Sequence, residues 1–357
     1  MSQPTAAQGQ PHFEITTSRQ FESWLAESGA SLAVSTYQVG KVFLFGSKPD
    51  KRLSIYERTL ERTMGLAASK TDLWIASLYQ LWRFRDFLEP GEAYEGHDRL
   101  FVPQQSWVTG DLDIHDVHLT ANDEPVFVNT LFSCLARPSP SGSFQPVWRP
   151  PFISRLAAED RCHLNGLAMR AGAPAFVTAV APTDIADGWR DRREDGGVVV
   201  DVTSGEVVCT GLSMPHSPRW HRDRLWILNA GSGEFGSVDL ATGLFEPLCF
   251  CPGYLRGLTF IDQYAVVATS LARENRTFAG LALDARLEAE GVEPRCGLWV
   301  IELATGDIVH WLRFHGLITE LYDVIALPGT RRPALIGFRT DEIRRLIRID
   351  ESGEGAL

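Results

Sequence analysis

An apolar phrase of six residues recurs six times along the chain and is its clearest pattern. Each copy begins with a polar residue, a proline or a tyrosine and continues with aliphatic and aromatic residues. Short apolar runs of this kind, bounded by turn residues, are typical of buried β-strands. The copies are Asp72-Leu-Trp-Ile-Ala-Ser77, Pro125-Val-Phe-Val-Asn-Thr130, Pro174-Ala-Phe-Val-Thr-Ala179, Arg224-Leu-Trp-Ile-Leu-Asn229, Tyr264-Ala-Val-Val-Ala-Thr269 and Pro333-Ala-Leu-Ile-Gly-Phe338.

The spacing between these copies predicts the architecture. Successive copies begin 40 to 69 residues apart, near the length of one four-stranded propeller blade with loops of variable length. Six copies therefore predict an all-β fold, a six-bladed β-propeller. Since six such blades use nearly all of the 357 residues, we expect one propeller domain over residues 31–357.

The first 30 residues precede this domain and read as a tail followed by a short helix. Phe21, Trp24 and Leu25 lie at helical spacing after a Thr or Ser cap, which predicts a helix that covers one propeller face. A ring must also pair its two ends. We therefore expect some N-terminal strands to join C-terminal strands near residues 321–326, 334–338 and 344–349 in one mixed blade that closes the ring.

Two insertions interrupt the repeat, one over about residues 184–197 and one over about residues 271–297. Both are rich in polar or small residues. Long loops on a rigid scaffold often carry function, so we expect these two to form a lid or a rim.

Charge and the absence of targeting signals limit the expected partners. The formal net charge of −11, without a basic run, opposes binding to nucleic acid or to an anionic membrane. Residues 1–10 lack the basic start and apolar core that predict a signal peptide, and no stretch approaches about 20 apolar residues. Its six cysteines form no Cys-x-x-Cys pair, which favours free thiols. We expect a cytoplasmic protein with a small-molecule substrate and no nucleic-acid or membrane partner.

A second short signal lies about ten residues before each apolar phrase and predicts the start of an innermost strand. All innermost strands of a propeller start at the same mouth of the central channel, so these residues converge there. Three consecutive signals contain a histidine. The six signals are Met64-Gly-Leu66, His115-Asp-Val117, His163-Leu-Asn-Gly166, Pro215-His-Ser217, Arg256-Gly-Leu258 and Tyr322-Asp-Val324.

The three histidines, His115, His163 and His216, predict a site for one divalent metal ion. Imidazole favours Zn, Fe or Mn, and three imidazoles with a carboxylate or water complete a coordination shell. Ca²⁺ is the alternative, with oxygen ligands from nearby carboxylates and amides. A histidine at a strand start can instead bond only a backbone group. The competing interpretation is therefore a structural cluster that fills the channel.

Five further residues are candidates for catalysis at the same mouth. Asp116, Glu234 and Asp323 could act as a base or as a fourth metal ligand. Tyr254 lies on the same predicted face. Arg256 offers a planar fork for a carboxylate or phosphate of the substrate, and its alternative role is an ion pair with Asp323 or Asp116.

The substrate is expected to contact four residues, namely Arg256, Asn165, Asn229 and Asp184. Amide groups can orient a substrate hydroxyl, and Asp184 stands where the first insertion begins. Asn165 precedes a glycine, and Asn-Gly is also a common turn signal.

Longer phrases of the chain resemble a bacterial family of conserved proteins of unknown function. These phrases are Thr36-Tyr-Gln-Val-Gly40, Gly110-Asp-Leu-Asp-Ile-His-Asp116, Asn129-Thr-Leu-Phe-Ser-Cys134, Asp160-Arg-Cys-His-Leu-Asn-Gly166, Asp187-Gly-Trp-Arg190 and Met214-Pro-His-Ser-Pro-Arg219. More distantly, the blade pattern resembles the six-bladed group of gluconolactonase-type and strictosidine-synthase-type enzymes. That resemblance implies a divalent cation held by Glu, Asn and Asp, whereas this chain places histidines at such positions.

Taken together, these patterns predict a metal-dependent enzyme that acts on a small, polar, anionic substrate at the channel mouth. The chemistry expected is that of a lactonase, a lyase or an oxygenase. The alternative is a noncatalytic propeller that binds a peptide or a glycan on the same face.

Overall fold

Six sheets of four or five strands make up the fold. The computed structural model describes residues 13–271 and 280–349. Each sheet is one blade, and its strands are antiparallel to their neighbours with one exception. The prediction of an all-β, six-bladed β-propeller is therefore confirmed.

The described chain begins with β1 (Phe13–Thr17) and helix α1 (Phe21–Glu27). Blade 1 takes β2 (Ala30–Ser35), β3 (Lys41–Ser47) and β4 (Leu53–Thr59). Blade 2 takes β5 (Leu66–Ala68), β6 (Asp72–Ala76), β7 (Gln80–Asp86) and β8 (Arg99–Val108). Blade 3 takes β9 (Ile114–Leu119), β10 (Pro125–Asn129), β11 (Cys134–Arg137) and β12 (Gln145–Trp148).

The second half of the chain completes the ring. Blade 4 takes β13 (Leu164–Arg170), β14 (Ala173–Ala179), β15 (Gly197–Asp201) and β16 (Val207–Leu212). Blade 5 takes β17 (Pro215–His221), β18 (Arg224–Asn229), β19 (Glu234–Asp239) and β20 (Leu244–Phe250). Blade 6 takes β21 (Tyr254–Ile261), β22 (Tyr264–Ser270), helix α2 (Ala282–Glu290), β23 (Gly297–Glu302) and β24 (Ile308–Gly316). Two strands follow, β25 (Val324–Pro328) and β26 (Pro333–Leu335).

Both ends of the described chain take part in closing the ring. The C-terminal strand β25 becomes the innermost strand of blade 1 by pairing with β2, from Val34 opposite Val324 to Ala30 opposite Pro328. At the N-terminal end, β1 pairs with β24 as a fifth strand of blade 6. The expected closure near residues 321–326 is confirmed.

The other two C-terminal segments do not enter blade 1. Strand β26 lies parallel to β8, on the outer edge of blade 2. Residues 344–349 contain no strand, and a 3-10 turn, Asp341–Arg344, precedes most of them. The expectation that both segments pair in the closing blade is therefore wrong.

Five of the six apolar phrases form the second strand of a blade, namely β6, β10, β14, β18 and β22. The sixth is different because it forms the outer strand β26. The second strand of blade 1 is instead β2, whose six residues are all buried. Strands β2 and β26 are both buried on two faces, which explains why their compositions are similar.

Helix α1 seals the junction between the two ends of the ring. Phe21 and Leu25 are fully buried among Phe43 and Phe45 of blade 1 and Phe314 of blade 6. Burying each of these helix side chains contributes about 1.5–3 kcal/mol. Both described helices, of seven and nine residues, are too short to cross a membrane.

Small and polar residues alternate where neighbouring innermost strands meet. The six positions, in blade order from blade 2 round to blade 1, are Gly65, Asp116, Gly166, Ser217, Gly257 and Asp323. Each glycine lies against the backbone of the polar residue that follows it in this order. A Cβ on Gly257, for example, would lie 2.4 Å from the backbone nitrogen of Val324.

The polar members of this series tie one blade to the next. Asp116 accepts a hydrogen bond from the backbone N–H of Leu167 at 3.0 Å. Asp323 accepts one from Leu66 at 2.9 Å, and the hydroxyl of Ser217 donates to the Arg256 carbonyl. These bonds satisfy backbone groups on the inner edges of the innermost strands, which have no further strand to pair with.

Candidate functional site

A pocket of about 200 Å³ opens where the innermost strands start. Imidazoles, carboxylates, phenols and guanidinium groups line it, together with one indole and one methionine. The lining residues are Tyr37, Asp113, His115, Asp160, His163, Trp189, Arg190, Met214, Arg256 and Tyr322.

His163 and Asp160 form a hydrogen-bonded pair in the loop that leads into β13. The Nδ1 atom of His163 is 2.8 Å from Oδ2 of Asp160, and the indole N–H of Trp189 donates to the same oxygen at 2.9 Å. Burial alone would raise the pKa of Asp160, but the adjacent imidazole and these hydrogen bonds lower it overall. The carboxylate is therefore ionised and holds the imidazole with its Nδ1–H toward Asp160.

Trp189 also fixes the plane of the His163 ring. The two rings are stacked with centroids 4.1 Å apart, and Arg190 lies over the indole at 4.5 Å. Trp189 and Arg190 belong to the insertion over residues 184–197. This insertion therefore supplies one wall of the pocket.

His115, near the start of β9, is held as a neutral imidazole. Its Nδ1 atom lies 3.0 Å from the Asp113 carbonyl oxygen and 2.8 Å from the Thr130 hydroxyl. That hydroxyl donates to the Leu164 carbonyl, so it accepts from His115. Burial lowers the pKa of His115 to about 4. Its Nε2 atom is consequently a hydrogen-bond acceptor.

His216, in β17, positions the guanidinium of Arg256. Its Nδ1–H donates to the Met214 carbonyl at 2.7 Å, and its Nε2 accepts from Nη1 of Arg256 at 2.7 Å. Burial, followed by the adjacent Arg256 cation, lowers the pKa of His216 well below its usual value. Arg256 also lies over the ring of Tyr322 at 5.4 Å.

The structure brings the three predicted histidines together. The ring centroids of His115 and His163 are 4.9 Å apart, and those of His115 and His216 are 6.4 Å apart. Their arrangement does not fit a three-histidine metal centre, because Nε2 of His216 already accepts the Arg256 hydrogen bond. Over residues 13–271 and 280–349, no cluster of three or more His, Cys, Asp or Glu is arranged to hold a metal ion.

Asp116 and Asp323 lie at the inner-strand contacts and do not line the pocket. The guanidinium of Arg219 bonds Asp116 through two nitrogens, at 2.8 and 3.1 Å, and lies 3.6 Å from Asp323. Burial raises the pKa of Asp323 to about 7. Burial acts in the same direction on Asp116, but the adjacent Arg219 and His118 lower its pKa overall. The cation shared by the two carboxylates is therefore Arg219, whereas the sequence suggested Arg256.

The remaining predicted residues are bonded outside the pocket. The amide oxygen of Asn165 accepts a hydrogen bond from the Thr178 hydroxyl within blade 4, and that of Asn229 accepts one from the backbone of Ser213, in the link between blades 4 and 5. Asp184 pairs with Arg161 at 2.5 Å. None of the three lines the pocket.

Helix α2 holds the last two predicted residues. Arg286 pairs with Glu234 at 2.6 Å, and the Tyr254 hydroxyl donates to Asp284 at 3.2 Å. Burial raises the pKa of Tyr254 above its usual range. This helix lies in the second insertion, part of which, residues 272–279, falls outside the described residues.

Several pocket residues were missed in the sequence. Asp160 stands three residues before His163, a spacing that joins the two across a tight turn, and Trp189 stands in a predicted rim. Tyr37 follows β2 and Tyr322 precedes β25, so they meet through ring closure. For Asp160 the signal was present in the motif, whereas the tyrosine pair depends on which strands close the ring.

Comparisons with solved structures identify the fold alone. The chain is similar to a chain in a nidogen/laminin complex, with TM-score 0.52, 10% identity, and coverage of 84% of this chain and 98% of that chain. It is also similar to a protein of unknown function from Bacteroides caccae, with TM-score 0.49, 9% identity, and coverage of 84% and 98%. Virginiamycin B lyase from Staphylococcus aureus gives TM-score 0.38, 10% identity, and coverage of 86% and 100%.

Comparisons of sequence lead to a single family. No curated protein sequence matches the chain. A family model described as a domain of unknown function, DUF4915, matches residues 19–336.

Proposed function

The chain belongs to the DUF4915 family, a domain of unknown function, and we propose that it is an enzyme in which His163 acts as a general base on a small anionic substrate. One observation carries this proposal. The imidazole of His163 is fixed by the Asp160 carboxylate at 2.8 Å, in a pocket that Arg256 also lines. A base oriented by a carboxylate beside a fixed cation is an arrangement suited to acid–base catalysis.

The chemical step that suits these groups is proton removal from carbon next to a carboxylate. The C–H bond breaks, its proton passes to Nε2 of His163, and its electron pair moves onto the carboxylate as an enediolate. Asp160 stabilises the imidazolium that forms. Return of a proton to the opposite face of the carbon would complete an isomerase reaction. Loss of a leaving group from the neighbouring carbon would complete a lyase reaction.

Arg256 is the group proposed to hold the substrate carboxylate. Burial lowers the pKa of Arg256, but a guanidinium remains protonated at neutral pH. A fixed cation at this point stabilises the charge that grows on the enediolate, and its position requires no reorganisation during the step. His216 serves this role indirectly by accepting a hydrogen bond from Arg256.

Solvent deuterium exchange into simple carboxylic acids tests this proposal, whichever acid is the natural substrate. The protein is incubated in D₂O with lactate, malate, propionate, mandelate and alanine, and loss of each α-proton signal is followed by NMR. We expect exchange in at least one of these acids. Asp160→Asn should slow it by about 100-fold or more, since general acid–base groups typically contribute 10²–10⁴-fold.

Asp187→Asn is the matched control, because Asp187 is an exposed carboxylate in the adjacent loop. Its exchange rate should equal that of the wild type. Equal rates in Asp160→Asn and the wild type would contradict the proposal. Binding of an acid without exchange in the wild type would favour the noncatalytic alternative.

A further inference from the structure

The aromatic rings of the pocket are covered by protein groups. Trp189 is covered by the His163 imidazole and by Arg190. Tyr322 is stacked on Tyr37 with centroids 5.6 Å apart, and Arg256 lies over it. Because these rings already have partners, a ligand meets ring edges, hydroxyls and nitrogens more than open aromatic faces. Such a lining disfavours an aromatic ligand.

The size of the pocket points the same way. Its volume of about 200 Å³ is below the roughly 300 Å³ at which pockets for drug-sized ligands begin. Its lining also has a high density of charged and polar groups. A ligand with few atoms and several polar groups fits this space.

The hydrogen-bonding groups specify two features of that ligand. Arg256 is a cation that lines the pocket, so an anionic group on a ligand suits it. His115 has its Nδ1–H bonded to Asp113 and Thr130, which leaves Nε2 as an acceptor that requires a donor. A hydroxyl group is an uncharged donor of suitable size.

We infer that the ligand of this pocket is a short aliphatic hydroxycarboxylate, with its carboxylate on Arg256 and its hydroxyl donating to Nε2 of His115. The inference rests on the proposed function, because it names the substrate class for the same site. His115 is assigned as a specificity residue, distinct from the base His163.

Matched acids test the inference by calorimetry with the wild-type protein. Lactate and propionate differ only by the hydroxyl, and lactate and mandelate differ by a methyl against a phenyl group. We expect lactate to bind about tenfold more tightly than propionate, since an unpaired buried acceptor costs about one order of magnitude in affinity. Lactate should also bind more tightly than mandelate, because the phenyl ring of mandelate exceeds what a pocket of about 200 Å³ with covered aromatic rings accommodates. Equal or tighter binding of propionate or mandelate would overturn the inference.

Two variants locate the discrimination at His115. His115→Phe removes the acceptor, and Thr130→Val removes the hydroxyl that holds Nδ1, so that one variant remains if the other does not fold. In a folded variant the preference for lactate over propionate should shrink toward unity. An unchanged preference in a folded variant would contradict the role of His115.

The outcomes separate this inference from the proposed function. Selective lactate binding without deuterium exchange in any acid would contradict the proposed catalysis and support the ligand class. Exchange in propionate or alanine but not in lactate or malate would support the proposed catalysis and contradict the ligand class.

Discussion

The indole N–H of Trp189 and Nδ1 of His163 bond the same oxygen of Asp160, and the two rings are stacked 4.1 Å apart. Trp189 belongs to an insertion between β14 and β15, whereas His163 precedes β13. The insertion therefore reaches the proposed base through both a ring contact and a shared carboxylate. A change at Trp189 should therefore alter the pKa of Asp160 as well as the position of the base.

Trp189→Phe tests this link because it keeps a six-membered aromatic ring and removes the N–H donor together with the five-membered ring. We expect the deuterium exchange rate to fall about tenfold, since a hydrogen bond to a charged group contributes about 1.5–3 kcal/mol. Burial raises the pKa of Asp160, whereas the His163 imidazole and the Trp189 N–H lower it, so loss of the N–H should raise that pKa and move the acidic limb of the pH–rate profile to higher pH. Trp220→Phe, at an aromatic contact with Phe176 outside the pocket lining, is the control and should leave rate and profile unchanged. An unshifted profile in Trp189→Phe would indicate a purely structural role.

Stability should fall as the solution is acidified from about pH 6.5 to 4. Burial lowers the pKa of His115 from 6.5 to about 4, and that of His216 is lowered as well, so both are neutral in the folded state and take up protons on unfolding. Stabilisation is therefore present above the unfolded-state pKa and is lost as pH falls toward the folded-state pKa. Each proton adds a slope of about 1.4 kcal/mol per pH unit.

Chemical denaturation at several pH values measures this slope. His115→Gln should reduce it by about one proton relative to the wild type. His315→Gln, at an exposed site, serves as the control and should retain the wild-type slope. Identical slopes in the wild type and His115→Gln would contradict a buried neutral imidazole.

Gly257→Ala should destabilise the ring without touching the pocket chemistry. The added Cβ would lie 2.4 Å from the backbone nitrogen of Val324 in the neighbouring blade. Overpacking of this kind typically costs about 1–3 kcal/mol. Gly142→Ala is the matched control, because the nearest atom to its Cβ is 3.7 Å away and it lies in a loop. Equal melting temperatures for the two variants would show that the inner strands accommodate the added methyl group without loss of stability.

Elemental analysis of protein purified without a histidine tag tests the metal site predicted from sequence. We expect well under one Zn, Fe, Mn or Ca per chain, because the Arg256 guanidinium bonds Nε2 of His216 and repels a cation. Arg256→Met should raise the affinity for added Zn²⁺. One metal per wild-type chain, lost in His115→Ala, His163→Ala and His216→Ala, would instead establish a metal centre.

The repeat predicted the fold because blade geometry imposes a common period on buried strands. The phrase that forms β26 could not be told apart from the others, since a doubly buried strand has the same composition at an outer edge as in second place. Strand β1 was missed because it has only five residues, all at most partly buried, and its alternation rests on two apolar residues, Phe13 and Ile15. Pairing between distant ends is a property of the closed ring, and local sequence does not encode it.

The convergence of the three histidines was predictable because each stands at or just before an innermost strand. Their partners were not, since the hydrogen bonds depend on side-chain orientation. Asp116 and Asp323 illustrate this difference. Both follow a pocket residue directly in sequence, yet the alternation of side chains along a strand directs them to Arg219 and to the next blade.

The alternation of glycine with aspartate or serine around the channel gives the ring a repeat of two blades. Its symmetry at the centre is therefore approximately threefold, although the outline has six blades. A rearranged chain that lacks one blade would bring two glycines or two polar residues side by side. Loss or gain of two neighbouring blades would preserve the alternation, so the blade pair is the unit that can be exchanged.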